Sequence, residues 1–220
     1  MKGMISVLLP FLFSLFTCCS APGAGFQSPN NVKNIEGTLF LLNGDSVNGN
    51  LYFNNEVMLR QDIKVYPASG GGLMNIHLVD VKGYRTGNNY YELQHLRNSG
   101  LATGGGFYFM KRLTPENSRI QLYEHLHKRY HHKSANRITY ESKYYVQFPG
   151  EYDRRVWSLD SEKFVPHFHW KMSKLVAQCK PLAEKISRKQ ANYFYSRVVL
   201  NPETRLAVMK NIITEYNQCR

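Results

Sequence analysis

The chain has 220 residues with a formal net charge of +12, 43% of them hydrophobic, 13% aromatic and 20% charged. These proportions exclude a disordered tail, a low-complexity linker and a collagen-like repeat, and describe one globular domain with room for a small appendage. A pI near 9.5 raises the question of polyanionic partners.

At the N-terminus Lys2 precedes an apolar run over 5–16, broken by Ser6, Pro10 and Ser14 and followed by small residues around Ser20, Ala21, Gly23 and Ala24. This predicts a secretory signal peptide over 1–24, because the run is shorter than the roughly 20 apolar residues that span a bilayer as a helix. Cys18 and Cys19 lie where the leader ends. Two outcomes stay open: a lipoprotein-type cleavage with one of them acylated, although Thr17 is larger than the residue such cleavage favours, or cleavage beyond both, after Ala21 or Ala24. Either way the expected location is exported: periplasmic, outer-membrane-associated or extracellular, with membrane contact only through a lipid anchor.

Residues 25–34 are rich in Pro, Gly, Ser and Asn and read as a tether. From Ile35 the pattern is that of strands. Two apolar runs, through Leu39 to Leu42 and through Val47 to Phe53, flank Asn43-Gly44, a pair suited to the positive φ values of a tight hairpin. Further strands are predicted over 63–66, 74–81, 90–93, 107–113, 120–124 and 138–148. The glycine runs at 70–72 and 104–106 lack the Gly-Lys-Ser/Thr ending of a phosphate loop and read as connections.

After about residue 158 the period changes from two to three and four. Phe168, Met172, Leu175, Val176 and Cys179 share one helical face behind Pro166. Pro181 opens a second helical stretch. Asn201-Pro202-Glu203 supplies an N-cap with Pro in the first turn of a third, whose inward stripe is Leu206, Met209, Ile212, Ile213 and Tyr216. With Cys18 and Cys19 removed or acylated, Cys179 and Cys219 remain as the pair for a disulfide in an oxidising compartment. A metal site is the alternative, without the Cys-x-x-Cys spacing that zinc sites favour. The expected fold is α+β: an antiparallel β-rich region over 35–158, then a helical region over 159–220 packed on it and stapled by the disulfide.

The segments Ile35-Glu36-Gly37-Thr38 to Asn43-Gly44-Asp45-Ser46-Val47-Asn48-Gly49, Ile120-Gln121-Leu122-Tyr123, and Cys179-Lys180-Pro181-Leu182-Ala183 to Ile213-Thr214-Glu215-Tyr216-Asn217-Gln218-Cys219 resemble a group of uncharacterised exported cell-envelope proteins of the Bacteroidota. The resemblance covers most of the chain beyond the leader. It implies a cell-envelope setting and assigns no catalytic residue.

Candidates for chemistry are few. His125-x-His127 puts two imidazoles on one face of a strand, a candidate metal pair; His131-His132 lies nearby, and His167-x-His169 is a second pair. The His-Glu-x-x-His signature and a spaced acidic third ligand are missing. Glu151 with Asp153, and Asp160 with Glu162, sit beside Arg154, Arg155 and Lys163 and read as ion pairs or solvated loops. No Gly-x-Ser-x-Gly elbow occurs. Lys128, Arg129, Lys133 and Arg137 form the densest basic stretch and a candidate polyanion contact, for which the leader argues against nucleic acid as physiological partner. Clustered aromatics, among them Tyr84, Tyr90, Tyr91, Tyr144, Tyr145, Tyr152 and Trp157, are available for core or for a glycan or protein contact. The expectation is a non-catalytic exported envelope protein that binds another envelope component, protein or glycan, without a cofactor. A hydrolase acting on an envelope polymer and a polyanion-binding module are the alternatives.

Overall fold

The computed structural model describes residues 25–56, 62–96, 106–130, 138–150, 154–199 and 201–219. Its first hairpin shows how the sequence period becomes structure. In β2 (Asn31–Leu41) and β3 (Ser46–Asn54), Leu39, Leu51 and Phe53 are buried while Glu36, Asn48 and Asn50 are exposed, the alternation that a sheet with one covered face imposes. The strands pair antiparallel through Leu39↔Val47 and Gly37↔Gly49. In the turn, Asn43 Oδ1 accepts the backbone N–H of Asp45 at 3.0 Å, and Gly44 alone takes a left-handed φ of 95°. One positive φ, rather than two, closes this loop.

The tether expected over 25–34 is instead part of the sheet. Phe26–Ser28 (β1) folds back on the start of β2, with Phe26 opposite Val32, and Ser28, Asn30 and Asn31 are buried. The polarity of Ser28 and Asn30, which reads as solvated linker, is consumed by hydrogen bonds described below. The strand expected over 74–81 is also divided. Met74–Ile76 (β5) ends before a short 3-10 turn, Leu78–Asp80, and β6 (Val81–Thr86) begins after it.

The remaining strands are β4 (Ile63–Pro67), β7 (Asn89–Leu96), β8 (Gly106–Arg112), β9 (Gln121–Tyr130), β10 (Ile138–Gln147) and β11 (Trp157–Ser158). Among the described residues the order is β11-β10-β9-β8-β7-β6-β2-β3-β4-β5, with β1 beside β2 and every ladder antiparallel. The path is open, with β5 and β11 at its two ends. Cross-strand register carries one face from Leu39 through Tyr84, Tyr91, Lys111 and Glu124 to Tyr144.

That face holds two cores. Around β2 to β8 it is filled by Val32, Leu51, Phe53, Ile63, Val65, Tyr84 and Phe109. Over β9 and β10 it is covered by α1 (Phe168–Leu175), α2 (Lys180–Ser187) and α3 (Pro202–Gln218), which press Met172, Leu182, Met209 and Ile212 on Leu122 and Val146. The α+β arrangement of an antiparallel sheet followed by helices is therefore present. Asn201 caps α3 as its sequence predicts, accepting the Glu203 N–H at 2.9 Å. Cys179 and Cys219 form the disulfide, with Cα atoms 5.8 Å apart. Beside it Arg119 stacks on the Tyr216 ring at 4.0 Å and donates to the terminal carbonyls of Tyr216 and Cys219, satisfying acceptors that a helix end leaves open.

Candidate functional site

The opposite face of β2, β3, β4 and β6 carries no helix among the described residues and forms an open groove of 780 Å³. Strand alternation builds it. Two cross-strand rows run side by side: Tyr66, Asn50 and Glu36 in one, Asn48, Thr38, Arg85 and Tyr90 in the next. The register partners Gly37 and Gly49 shape its floor. A Cβ on Gly49 would lie 2.1 Å from the Tyr66 carbonyl oxygen, and one on Gly37 2.5 Å from that of Arg85, so only glycine lets these strands coil this closely.

The groove is polar, aromatic and close to neutral. Thr38 Oγ1 donates to Asn48 Oδ1 at 2.6 Å, which orients the amide. Tyr66 is 49% exposed and is held edge-on by Tyr52 with ring centroids 5.7 Å apart. Arg85 lies 5.6 Å from the Phe40 ring centroid, and Phe40 meets Tyr90 edge-to-face at 5.6 Å. Glu36 and Arg85 are the charged residues among the lining side chains, one of each sign. This set presents fixed hydrogen-bond donors and acceptors around an aromatic plate, and places no nucleophile beside a base.

Further along the same face, Glu92 accepts from the Tyr123 hydroxyl at 3.1 Å and from Arg112 at 3.4 Å. Burial raises its carboxyl above the usual range, and Arg112 opposes the rise. Arg112 also stacks on Tyr90 at 4.4 Å, and burial followed by the Glu92 charge pushes that phenol up to about 12. The cluster binds β7, β8 and β9 together.

On the covered face β8 and β9 diverge, pairing only at Lys111 and Arg112. Side chains fill the fork. Asn30 donates to the Phe109 carbonyl at 3.1 Å and accepts the Phe109 N–H at 2.7 Å, while Asn55 donates to the Phe107 carbonyl at 2.6 Å. Glu56 accepts from Ser28, from Lys128 at 2.8 Å and from Tyr140 at 3.3 Å. Ser28 is buried and its carboxylate neighbour is already neutralised by Lys128, an arrangement of a structural pin.

His125 and His127 do share one face of β9, with ring centroids 6.3 Å apart. His125 is buried between Tyr108 and Tyr145, and burial, then the neighbouring His127, pushes it down to about 4. Its cross-strand partner is Lys143. Among the described residues no group of three His, Cys, Asp or Glu side chains converges, so the pair gains no third ligand here. Lys128 and Arg129 point to opposite faces, and Arg129 pairs with Glu141 at 2.5 Å, so the basic stretch is divided and its two described members carry carboxylate partners. Lys133 and Arg137 lie outside the described residues, as do Cys18, Cys19, His131, His132, Glu151, Tyr152 and Asp153. Of the aromatics available for core or for a contact, Tyr84, Tyr91, Tyr144 and Tyr145 are core.

Apart from Tyr90, the groove residues were not among the sequence candidates. The available signal was the solvent face of the hairpin, where Thr38, Asn48 and Asn50 are small or amide residues rather than the Lys and Glu that usually solvate an exposed strand. Compared with protein-family models, curated proteins and solved structures, the chain matches none.

Proposed function

We propose that the chain is an exported, non-catalytic cell-envelope module that binds a neutral glycan in the groove of β2, β3, β4 and β6. The observation that supports it best is the pair of cross-strand rows, in which Tyr66 stands beside Asn50 and Glu36, and Asn48 and Thr38 beside Arg85. An exposed ring offers a flat apolar surface for the C–H face of a sugar, and a few oriented amide, carboxylate and guanidinium groups give directional bonds to its hydroxyls. The balance of Glu36 against Arg85 is poorly suited to a polyanion, which needs surplus cations along its track. Glu36 is also the single carboxyl among the lining residues, whereas glycoside cleavage generally needs two. Export is supported by the leader pattern and by the Cys179–Cys219 disulfide; no helix among the described residues is long and apolar enough to cross a membrane.

Affinity electrophoresis through gels containing laminarin, hydroxyethylcellulose, xylan or galactomannan tests the reading. At least one of them retards the wild-type chain, in 0.5 M NaCl as in low salt, and Tyr66→Ala and Asn50→Ala each weaken retardation about tenfold or more. Equal mobility in all four gels, or retardation that Tyr66→Ala leaves intact, would overturn it.

A further inference from the structure

The helical region has a different surface chemistry from the groove. From Phe168 to Val199 the chain carries seven Lys and Arg residues and one carboxylate, Glu184. Part of that charge is neutralised locally, since Arg188 pairs with Glu184 and Lys185 reaches Glu215 on α3 at 2.8 Å. Lys174, Lys180 and Lys189 have no carboxylate partner among the described residues, and Lys171 is held by the Glu162 carbonyl, which leaves its charge unmatched. Amid these cations stands Trp170, 55% exposed on the first turn of α1. Lys174 lies one turn later, its ammonium 3.6 Å from the indole centroid. Next to Trp170, His169 meets Phe194 at 5.9 Å and Lys189 lies 5.7 Å from the same ring. The indole with the Lys174 ammonium makes one exposed patch, and the Phe194 ring with the Lys189 ammonium lies beside the neighbouring His169.

A tryptophan left in water among unmatched ammonium groups fits a bilayer interface. There the indole enters the headgroup boundary while each lysine faces an anionic headgroup. A soluble polyanion would use the lysines and leave the exposed ring without a role. We infer that the α1 face around Trp170, with Lys174 and Lys189, docks the helical region on an anionic phospholipid surface. The docking is peripheral and leaves the groove, on the opposite face of β2, β3, β4 and β6, open to a second partner.

The exported chain recovered from its own cell envelope is mixed with vesicles of phosphatidylglycerol and phosphatidylethanolamine, or of phosphatidylcholine alone. Intrinsic fluorescence and co-sedimentation are both followed. The chain has two tryptophans, and Trp157 is already packed between Arg155 and Lys163, so an emission shift reports on Trp170. The wild type shows a blue shift of several nanometres with the anionic vesicles only, reversed by 0.5 M NaCl. Trp170→Phe abolishes the shift. Lys174→Gln with Lys189→Gln lowers retention about tenfold or more, each lysine near such a surface being worth roughly fivefold. These substitutions are on the surface and leave the far-ultraviolet circular dichroism unchanged, and any acyl anchor is common to all variants. An unshifted spectrum on anionic vesicles, equal retention of the double variant, or salt-sensitive retention on heparin without any vesicle-induced shift would overturn the assignment.

Discussion

Asn30 bonds both the N–H and the C=O of a single residue, Phe109, with its side-chain amide, at 2.7 and 3.1 Å. The amide acts as one rung of a missing strand where β8 and β9 separate. Asn30→Ala leaves two buried backbone groups unpaired and lowers stability by about 2–4 kcal/mol. Asn55→Ala, which removes one bond to Phe107, costs about half as much. Urea denaturation of both variants measures the two effects, and the prediction fails if Asn30→Ala is as stable as the wild type.

Gly49 sits where a Cβ would collide with the Tyr66 carbonyl at 2.1 Å. Gly49→Ala therefore destabilises by at least about 2 kcal/mol, seen as a fall in Tm of about 5 °C or more. Nothing lies within 4 Å of a Cβ on Gly44. There the cost of Ala is the positive φ alone, about 1 kcal/mol. Calorimetry on the two alanine variants distinguishes collision from conformational strain.

His125 makes stability depend on pH. In the unfolded chain its imidazole takes up a proton near the ordinary 6.5, whereas burial, reinforced by His127 and Lys143, holds it down to about 4 in the fold. Between those values the unfolded state binds more protons, so stability is fully present above about pH 6.5 and falls as pH drops toward 4. The loss approaches about 3 kcal/mol. In His125→Gln that segment of the pH profile flattens, which denaturant midpoints at pH 4.5 and 7.5 measure directly.

The disulfide spans a sequence separation of 40, and chain-entropy reasoning assigns its removal a cost of about 4 kcal/mol. The damage is local to the helices. Cys179→Ser with Cys219→Ser loosens the end of α3 that Arg119 holds, so amide exchange rises there while the β2–β3 hairpin keeps its protection.

The change of period near residue 158 made the division into sheet and helices legible, and Asn201-Pro202 placed the start of α3 because a cap is a local device. The disulfide followed from having two cysteines left. The fork at β8 and β9 was not legible: Ser28 and Asn30 have the composition of a linker, and only their partners, Glu56 for Ser28 and Phe109, 79 residues away in the chain, for Asn30, make them interior. The groove was hidden for a related reason. Tyr66, Asn50, Glu36, Thr38 and Arg85 come from four strands, and register, which no single segment encodes, sets them side by side. Alternation along a strand puts one ring of an adjacent pair such as Tyr144 and Tyr145 on each face, yet both are buried, since here the sheet is covered on both sides.

The central claim, that the groove holds a glycan in the cell envelope, is tested most directly by a benzophenone amino acid placed at exposed Ala68 and photolysed in living cells. After trypsin digestion the peptide containing position 68 carries pentose- or hexose-type mass increments that periodate oxidises, and Tyr66→Ala abolishes them. A peptide with no increment, one joined to another polypeptide, or a sugar adduct undiminished by Tyr66→Ala would contradict the account.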